Sequence, residues 1–337
     1  RVTEKIRKNA RGAAVFGAAT GTPWSHPSCA QNWPIGRRTA SRQRALMPMS
    51  EPSAVDDGAD DRAYDLNWLG RRGGCDVGVD WQVFESGPAH AEHTVLLLPG
   101  GMCSARSYLE LTQQPSLSGL RLVAATMPGH AGAPSPDDYS HEAYGQMTAD
   151  LVAETDADVV VGFSLGANVA LEMAEKKLFV GPTVLLGISL SLPDESAFFI
   201  NVIRLSKVFG SLPLALMKKA AGSMVKGIPV PPERQAELAA DFRRTSTRDM
   251  RLGLREYLKW LTSGEDHAAM LCRSGVPTWV VHAEQGDGGL TDTERRTLEA
   301  CSTVELVTIP GKVFFLPNEV PGQIASVITG AVAAVNP

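Results

Sequence analysis

Val159-Val160-Val161-Gly162-Phe163-Ser164-Leu165-Gly166-Ala167 is the stretch on which the reading of this chain turns. Three consecutive valines form a short apolar β run of the kind buried in a parallel sheet. The residues from Gly166 to Lys177 then follow a helical pattern, so Ser164 falls in the turn between strand and helix. A serine in so sharp a turn needs small neighbours, because side chains at Gly162 and Gly166 would collide with adjoining elements. The turn lifts Ser164 Oγ above the sheet, while the helix N-terminus and the N–H of Leu165 face any negative charge developing beside it. The pentapeptide G-x-S-x-G is common by itself. Its meaning comes from the strand before it and the helix after it.

Outward from this turn the chain alternates between the two kinds of element. Short β-rich runs occur at Val77–Phe84, Thr94–Leu98, Leu120–Ala125, Asp158–Phe163, Pro182–Ile188, Pro277–His282 and Val304–Ile309. Helical segments separate them at Glu142–Glu154, Gly166–Lys177, Thr291–Cys301 and Gln323–Val335. Thr291 and Glu294 form a capping box at the head of the third. Such alternation predicts an α/β fold, a doubly wound and mostly parallel sheet with right-handed crossovers. The rhythm breaks at 191–269, where amphipathic helical patterns punctuated by Pro213, Pro229, Pro231 and Pro232 contain no convincing strand. We read this as an inserted helical cap between the core segments 61–190 and 270–337. Its apolar residues serve either its own packing or the wall of a cavity.

Residues 1–60 differ from the rest. Between Arg1 and Leu46 many basic residues, among them Arg7, Lys8, Arg37 and Arg38, face a single acid, Glu4, with no hydrophobic period. Such a composition buries too little apolar surface to offset the entropy of ordering, so a disordered tail and linker are expected. Met47 and Met49 stand just before the Ser/Pro/Asp-rich linker, which suggests a tail upstream of the natural start; an Arg-rich, acid-poor targeting segment is the other reading.

The chain has 337 residues, 44% of them hydrophobic and 20% charged, ample for a sizeable core. A formal net charge of -5 gives no overall attraction to polyanions, so nucleic acid is not an expected partner. Five scattered cysteines, none in a C-x-x-C pair, indicate neither a disulfide framework nor a zinc site and fit a reducing, cytoplasmic setting. The long apolar stretches around Leu178–Leu192 and Ile324–Val335 are broken by Gly or Pro or fall short of a bilayer span of about 20 residues. No G-x-G-x-x-G opens a helix after the first strand, and no cofactor or metal is implied; His90 and His93, around Ala91-Glu92, read as a solvated turn.

A second loop completes the chemistry. Thr94-Val95-Leu96-Leu97-Leu98 ends in Pro99-Gly100-Gly101-Met102, and its glycines let backbone amides approach a ligand closely. With Leu97–Gly101, the Pro128-Gly129-His130 loop and the Gly162–Gly166 turn in place, the chain from about Asp76 onward resembles the α/β-hydrolase fold family, in its capped esterase, lactonase and epoxide-hydrolase-like branch. The resemblance implies Ser164 as nucleophile, the N–H groups of Gly101 and Leu165 as the oxyanion hole with Met102 as the alternative donor, and Asp287 as the orienting acid. The order Ser, acid, His along the chain is the family's.

Here the pattern fails. Family members present a histidine just after the last strand, and this chain reads Ile309-Pro310-Gly311-Lys312-Val313-Phe314-Phe315. The slot falls on Phe314, or on Val313 if the turn is one residue shorter, and no histidine follows His282. Serine is a weak nucleophile at its own pKa and needs an adjacent base. His130 is the foremost substitute, with His267, His282 and a group from substrate or water behind it. The resemblance therefore implies acyl transfer to water from a small or medium apolar ester, lactone or thioester, with the base unassigned. A binding protein whose triad has lapsed is the principal alternative, and lyase or acyltransferase chemistry on the same scaffold a third. The sequence leaves the oligomeric state open.

Overall fold

Every residue of β3 (Thr94–Leu98), β5 (Val159–Phe163) and β6 (Thr183–Leu186) is buried, as befits central strands covered on both faces by helices. The structure is a computed structural model and describes residues 68–70, 81–286 and 289–335. The expected tail at 1–60, the start of the Val77–Phe84 run and Asp287 lie outside the described residues.

The eight-stranded sheet has the order β1-β2-β4-β3-β5-β6-β7-β8. β1 (Trp68–Gly70), which the sequence pattern did not reveal, and β2 (Gln82–Ser86) run antiparallel at one edge. From β4 (Arg121–Thr126) through β3, β5, β6, β7 (Thr278–Gly286) and β8 (Val304–Val313) all pairings are parallel. β3 lies between β4 and β5, and Leu98 pairs with Gly162. The loops that follow β3 and β5 therefore leave the sheet side by side, at the carboxyl ends of the strands, where open α/β sheets bind ligands.

The helices are α1 (Leu109–Thr112), α2 (His141–Thr155), α3 (Leu165–Glu175), α4 (Ala197–Phe209), α5 (Leu212–Met224), α6 (Pro232–Arg244), α7 (Thr247–Leu261), α8 (His267–Ser274), α9 (Asp292–Glu299), α10 (Leu316–Glu319) and α11 (Pro321–Ala333). Alternate residues of each strand feed opposite layers. Leu96, Leu98 and Val160 pack with Leu151, Val169, Leu271 and Leu298 on one face. Val95, Leu97, Val159 and Val161 pack with Leu111, Ile324 and Ile328 on the other. Thr291 and Glu294 make the anticipated reciprocal cap on α9.

Between β6 and β7 there are helices and no strand, and α8 straddles the boundary expected at 269. This insertion has its own core, in which Ile203, Leu214, Met217, Met250 and Leu254 close around Met102 from the β3 loop. Buried polar ties fasten it down: Tyr139 Oη donates to Asp249 Oδ1 at 2.6 Å, and Thr245 Oγ1 accepts from Ala131 N at 2.8 Å.

Two expectations are corrected. The last strand does not end at Ile309; β8 carries on through Pro310-Gly311 to Val313, with a register irregularity against β7 between Ala283 and Gln285. An edge strand tolerates a proline, and a bulge absorbs the offset. The cysteines are not all unpaired either: Cys272 and Cys301 form a disulfide with Cα atoms 5.6 Å apart. The pair joins α8 to the segment after α9, an encounter made by packing across 29 residues of chain that spacing does not disclose.

Candidate active site

Ser164 sits at φ 49°, ψ −116°, outside the regions comfortable for a non-glycine residue. The surroundings hold it there. Its N–H donates to Leu186 O on β6 at 2.9 Å, and its carbonyl accepts from Ala167 N and Asn168 N at 2.8 and 3.1 Å, which starts α3. A β-carbon on Gly162 would stand 2.3 Å from Gly166 O, and one on Gly166 would stand 2.3 Å from Leu98 O. Only glycine fits at either place, which is the steric reason for the pentapeptide. Leu165, the first residue of α3, has an N–H with no intrahelical acceptor.

The β3 loop abuts this turn. A β-carbon on Gly100 would lie 3.4 Å from Ser164 Cβ, and one on Gly101 would lie 3.6 Å from Leu165 Cδ2. Tyr108 Oη braces the loop's root by donating to Leu98 O at 2.8 Å. Met102, at φ 67°, donates its N–H to His130 Nδ1 at 2.8 Å, so that amide is already spoken for. Of the two loop amides weighed as oxyanion donors, that of Gly101 is the one not taken by His130.

His130 lines the same cavity as Ser164, but both its nitrogens are engaged. Nδ1 accepts from Met102 N, so the ring proton lies on Nε2. Nε2 stands 3.3 Å from Tyr144 Oη, which gives its own proton to Pro128 O at 2.8 Å and so accepts from the imidazole. Burial pulls the His130 pKa down to about 4, only partly offset by Asp249, and the ring is neutral near pH 7. No lone pair is left for the Ser164 proton. His130 instead holds the β3 loop in shape.

Among the described residues the other imidazoles lie outside the cavity wall. His267 stacks on Trp260 with centroids 3.6 Å apart. His282 is buried between strands, with Nε2 3.0 Å from Thr308 Oγ1. Of the two candidate slots for the missing histidine, Val313 is buried in the sheet core opposite Gly286, whereas Phe314 lines the cavity and is 48% exposed.

The cavity between the strand ends and the insertion has a volume of about 480 Å³. Six phenylalanines (163, 198, 199, 242, 314 and 315) and four methionines (102, 217, 224 and 250) dominate its wall. Such a surface suits an apolar, flexible ligand, since methionine adapts to irregular shapes. Cys103 also reaches it, but burial, with Asp241 adding to the effect, pushes its thiol up to about 12, far from a thiolate nucleophile. Sequence reasoning missed Glu195, the one carboxylate that the described residues bring to the wall, which follows β6 where the insertion begins. Its Oε1 accepts from Ser189 Oγ at 2.8 Å and from Tyr257 Oη, and the phenol is held neutral by burial and by that carboxylate. The signal available was Pro193-Asp194-Glu195 a few residues beyond the end of β6 at Leu186, unreadable until α7 brought Tyr257 alongside.

A strained serine between strand and helix, two backbone amides beside it and a cavity above, on this strand order, define a class of protein. The α/β hydrolase family profile matches residues 95–312, well over half of the 337, and the chain belongs to that family. Solved structures share its fold. A thermophilic esterase from Thermogutta terrifontis has 16% identity and TM-score 0.58, over 77% of this chain and 95% of the other. The N-acyl homoserine lactonase AidH, complexed with N-hexanoyl homoserine, has 15% identity and TM-score 0.61, over 81% and 97%. The thioesterase domain from the curacin biosynthetic pathway has 18% identity and TM-score 0.57, over 79% and 99%. No curated protein matches in sequence. Among the described residues no helix is long and apolar enough to cross a membrane.

Proposed function

We propose that this chain is a serine hydrolase for small or medium apolar esters, lactones or thioesters, working through an acyl-Ser164 intermediate. The observation that carries the reading is Ser164 held at φ 49°, ψ −116° on the wall of an apolar cavity, a conformation that costs folding energy and is sustained by two obligatory glycines. Ser164 Oγ adds to the carbonyl carbon, and the carbonyl's π pair moves onto oxygen opposite the N–H groups of Gly101 and Leu165. Collapse expels the alkoxide or thiolate, which leaves with a proton. Water then attacks the ester of Ser164 and releases the acid. Asp287 keeps its proposed place as the acid after β7.

The Ser164 proton goes to water or the leaving group, since the described residues of the cavity offer no free imidazole lone pair. Turnover is then what an oxyanion hole and binding supply, on the order of 10³–10⁴ over water, short of a full triad. A second reading, retention of an apolar ligand without turnover, is favoured by Phe314 in the slot and by the engagement of both His130 nitrogens. One experiment separates them. A fluorophosphonate should label Ser164, and Ser164→Ala should abolish both labelling and p-nitrophenyl ester turnover. Uptake of a hydrophobic fluorophore into a wild-type chain that is neither labelled nor active would establish the binding reading instead.

A further inference from the structure

The outer face of the α4–α5 hairpin is apolar and, among the described residues, unpartnered. Val208 is 76% exposed, Phe198 67% and Phe209 60%, and Leu205, Leu212 and Leu216 are also exposed. At 100° per residue, Phe198, Leu205, Val208 and Phe209 fall within one arc of about 100° on α4, and the buried Ile200, Val202, Ile203 and Ser206 lie outside it. Large exposed apolar patches mark an interaction surface.

Charge says what the surface fits. From Ser196 to Pro232 there is not one Asp or Glu, in a chain whose formal net charge is -5. The same segment carries Arg204, Lys207, Lys219 and Lys226, all exposed, and Arg204 lies beside the apolar stripe, about 40° round α4 from Val208. Lys218 is partly buried, donating to Thr245 O at 2.6 Å. An apolar stripe edged by cations is the surface of a helix that lies in the plane of an anionic membrane, its apolar side chains among the acyl chains and its basic ones at the headgroups. The patch is also continuous with the cavity mouth, because Phe198 and Met224 are both exposed and lining.

We infer that the α4–α5 hairpin docks on an anionic lipid surface and turns the cavity mouth toward it, so that an apolar ligand passes from lipid into the cavity without crossing water. A second copy of this chain would not explain the lack of acids, since two like-charged basic patches would face each other across the dyad.

The test is co-sedimentation of the full chain with vesicles of phosphatidylcholine alone or mixed equally with phosphatidylglycerol. We expect binding to the mixed vesicles, weakening as salt rises. Arg204→Glu, Lys207→Glu and Lys219→Glu together should weaken it on the order of a hundredfold at low ionic strength. Val208→Glu with Phe209→Glu should abolish it. All five positions are exposed, so the variants should fold as the parent does, and the basic N-terminal residues are common to every chain compared. Ser164→Ala should bind vesicles like the parent, which keeps this result apart from that of the hydrolase test. Equal binding of parent and variants to mixed vesicles, or none by the parent, overturns the inference. So does a stable dimer in sedimentation velocity that Val208→Glu with Phe209→Glu makes monomeric, for it would assign the patch to a second copy.

Discussion

On the proposed hydrolase reading, Phe314→His should raise the rate of ester turnover. The position lines the cavity with Ser164, directly after β8, and its side chain is 48% exposed. Its backbone N–H is anchored on Glu319 Oε1 at 2.9 Å, a bond that does not depend on the side chain. The ring makes one specific interaction, with Lys312 Nζ 5.2 Å from its centroid, an exposed contact whose loss is small. Stability should therefore change by no more than about 0.5 kcal/mol. A general base placed beside the nucleophile contributes about 10²–10⁴ in rate, and that is the gain expected in kcat/KM for a p-nitrophenyl ester. An exposed imidazole titrates near 6.5, and Lys312 lowers it further if it moves it at all. The base acts when neutral, so the variant's rate should climb through about pH 6.5 and level off above it, while the parent shows no such step. The gain should vanish when Ser164→Ala is added. Val313→His is the control: that side chain is 6% exposed in the sheet core and should lower Tm without raising the rate. A Phe314→His protein with unchanged Tm, a fluorophosphonate-reactive Ser164 and no gain would refute the placement of the slot at Phe314.

Other outcomes follow from the same geometry. Gly162→Ala and Gly166→Ala should each cost about 1–3 kcal/mol or more, read as a drop in Tm and lost labelling of Ser164, because each β-carbon would come within 2.3 Å of a backbone oxygen. Gly101→Ala, whose nearest neighbour would be 3.6 Å away, should fold with little loss; equal damage at all three positions would contradict the packing described. Burial holds the pKa of His130 down at about 4 and that of His141 at about 3, and neither His141 nitrogen has a hydrogen-bond partner among the described residues. Both folded pKa values lie below the unfolded value, so the unfolded chain takes up protons first as pH falls. Stability is then intact above about 6.5 and declines below it, by about 2 kcal/mol for each ring at about pH 5. Denaturant titrations at both pH values should show the loss, and His141→Phe should remove about half of it; a pH-independent difference between parent and variant would speak against the buried neutral rings.

Strand–helix alternation and the glycines around Ser164 were legible because they are local: a β run, a turn that admits no side chain and a helix start all lie within nine residues. The β3 loop was legible for the same reason, two glycines at a strand end. The extension of β8 through Pro310-Gly311 was not, since a Pro-Gly pair reads as a turn unless an edge position and a bulge against β7 let it stay in the sheet. Nor was the fate of His130. A histidine in a Pro-Gly-His loop looks available until Met102 N, 28 residues earlier in the chain, and Tyr144 Oη, 14 residues later, are seen to occupy its ring.

From the sequence by itself came the class of fold, the turn at Ser164, its glycines and the lack of a histidine after the last strand, because short-range sterics and composition carry each of them. Only the tertiary structure decided that the Met102 amide is taken by His130, that Phe314 and not Val313 reaches the cavity, that Glu195 enters its wall, that Cys272 meets Cys301, and that the apolar stripe of α4 faces outward. Each of these depends on which distant segments the packing brings within a few ångströms, and periodicity along the chain carries no record of those encounters.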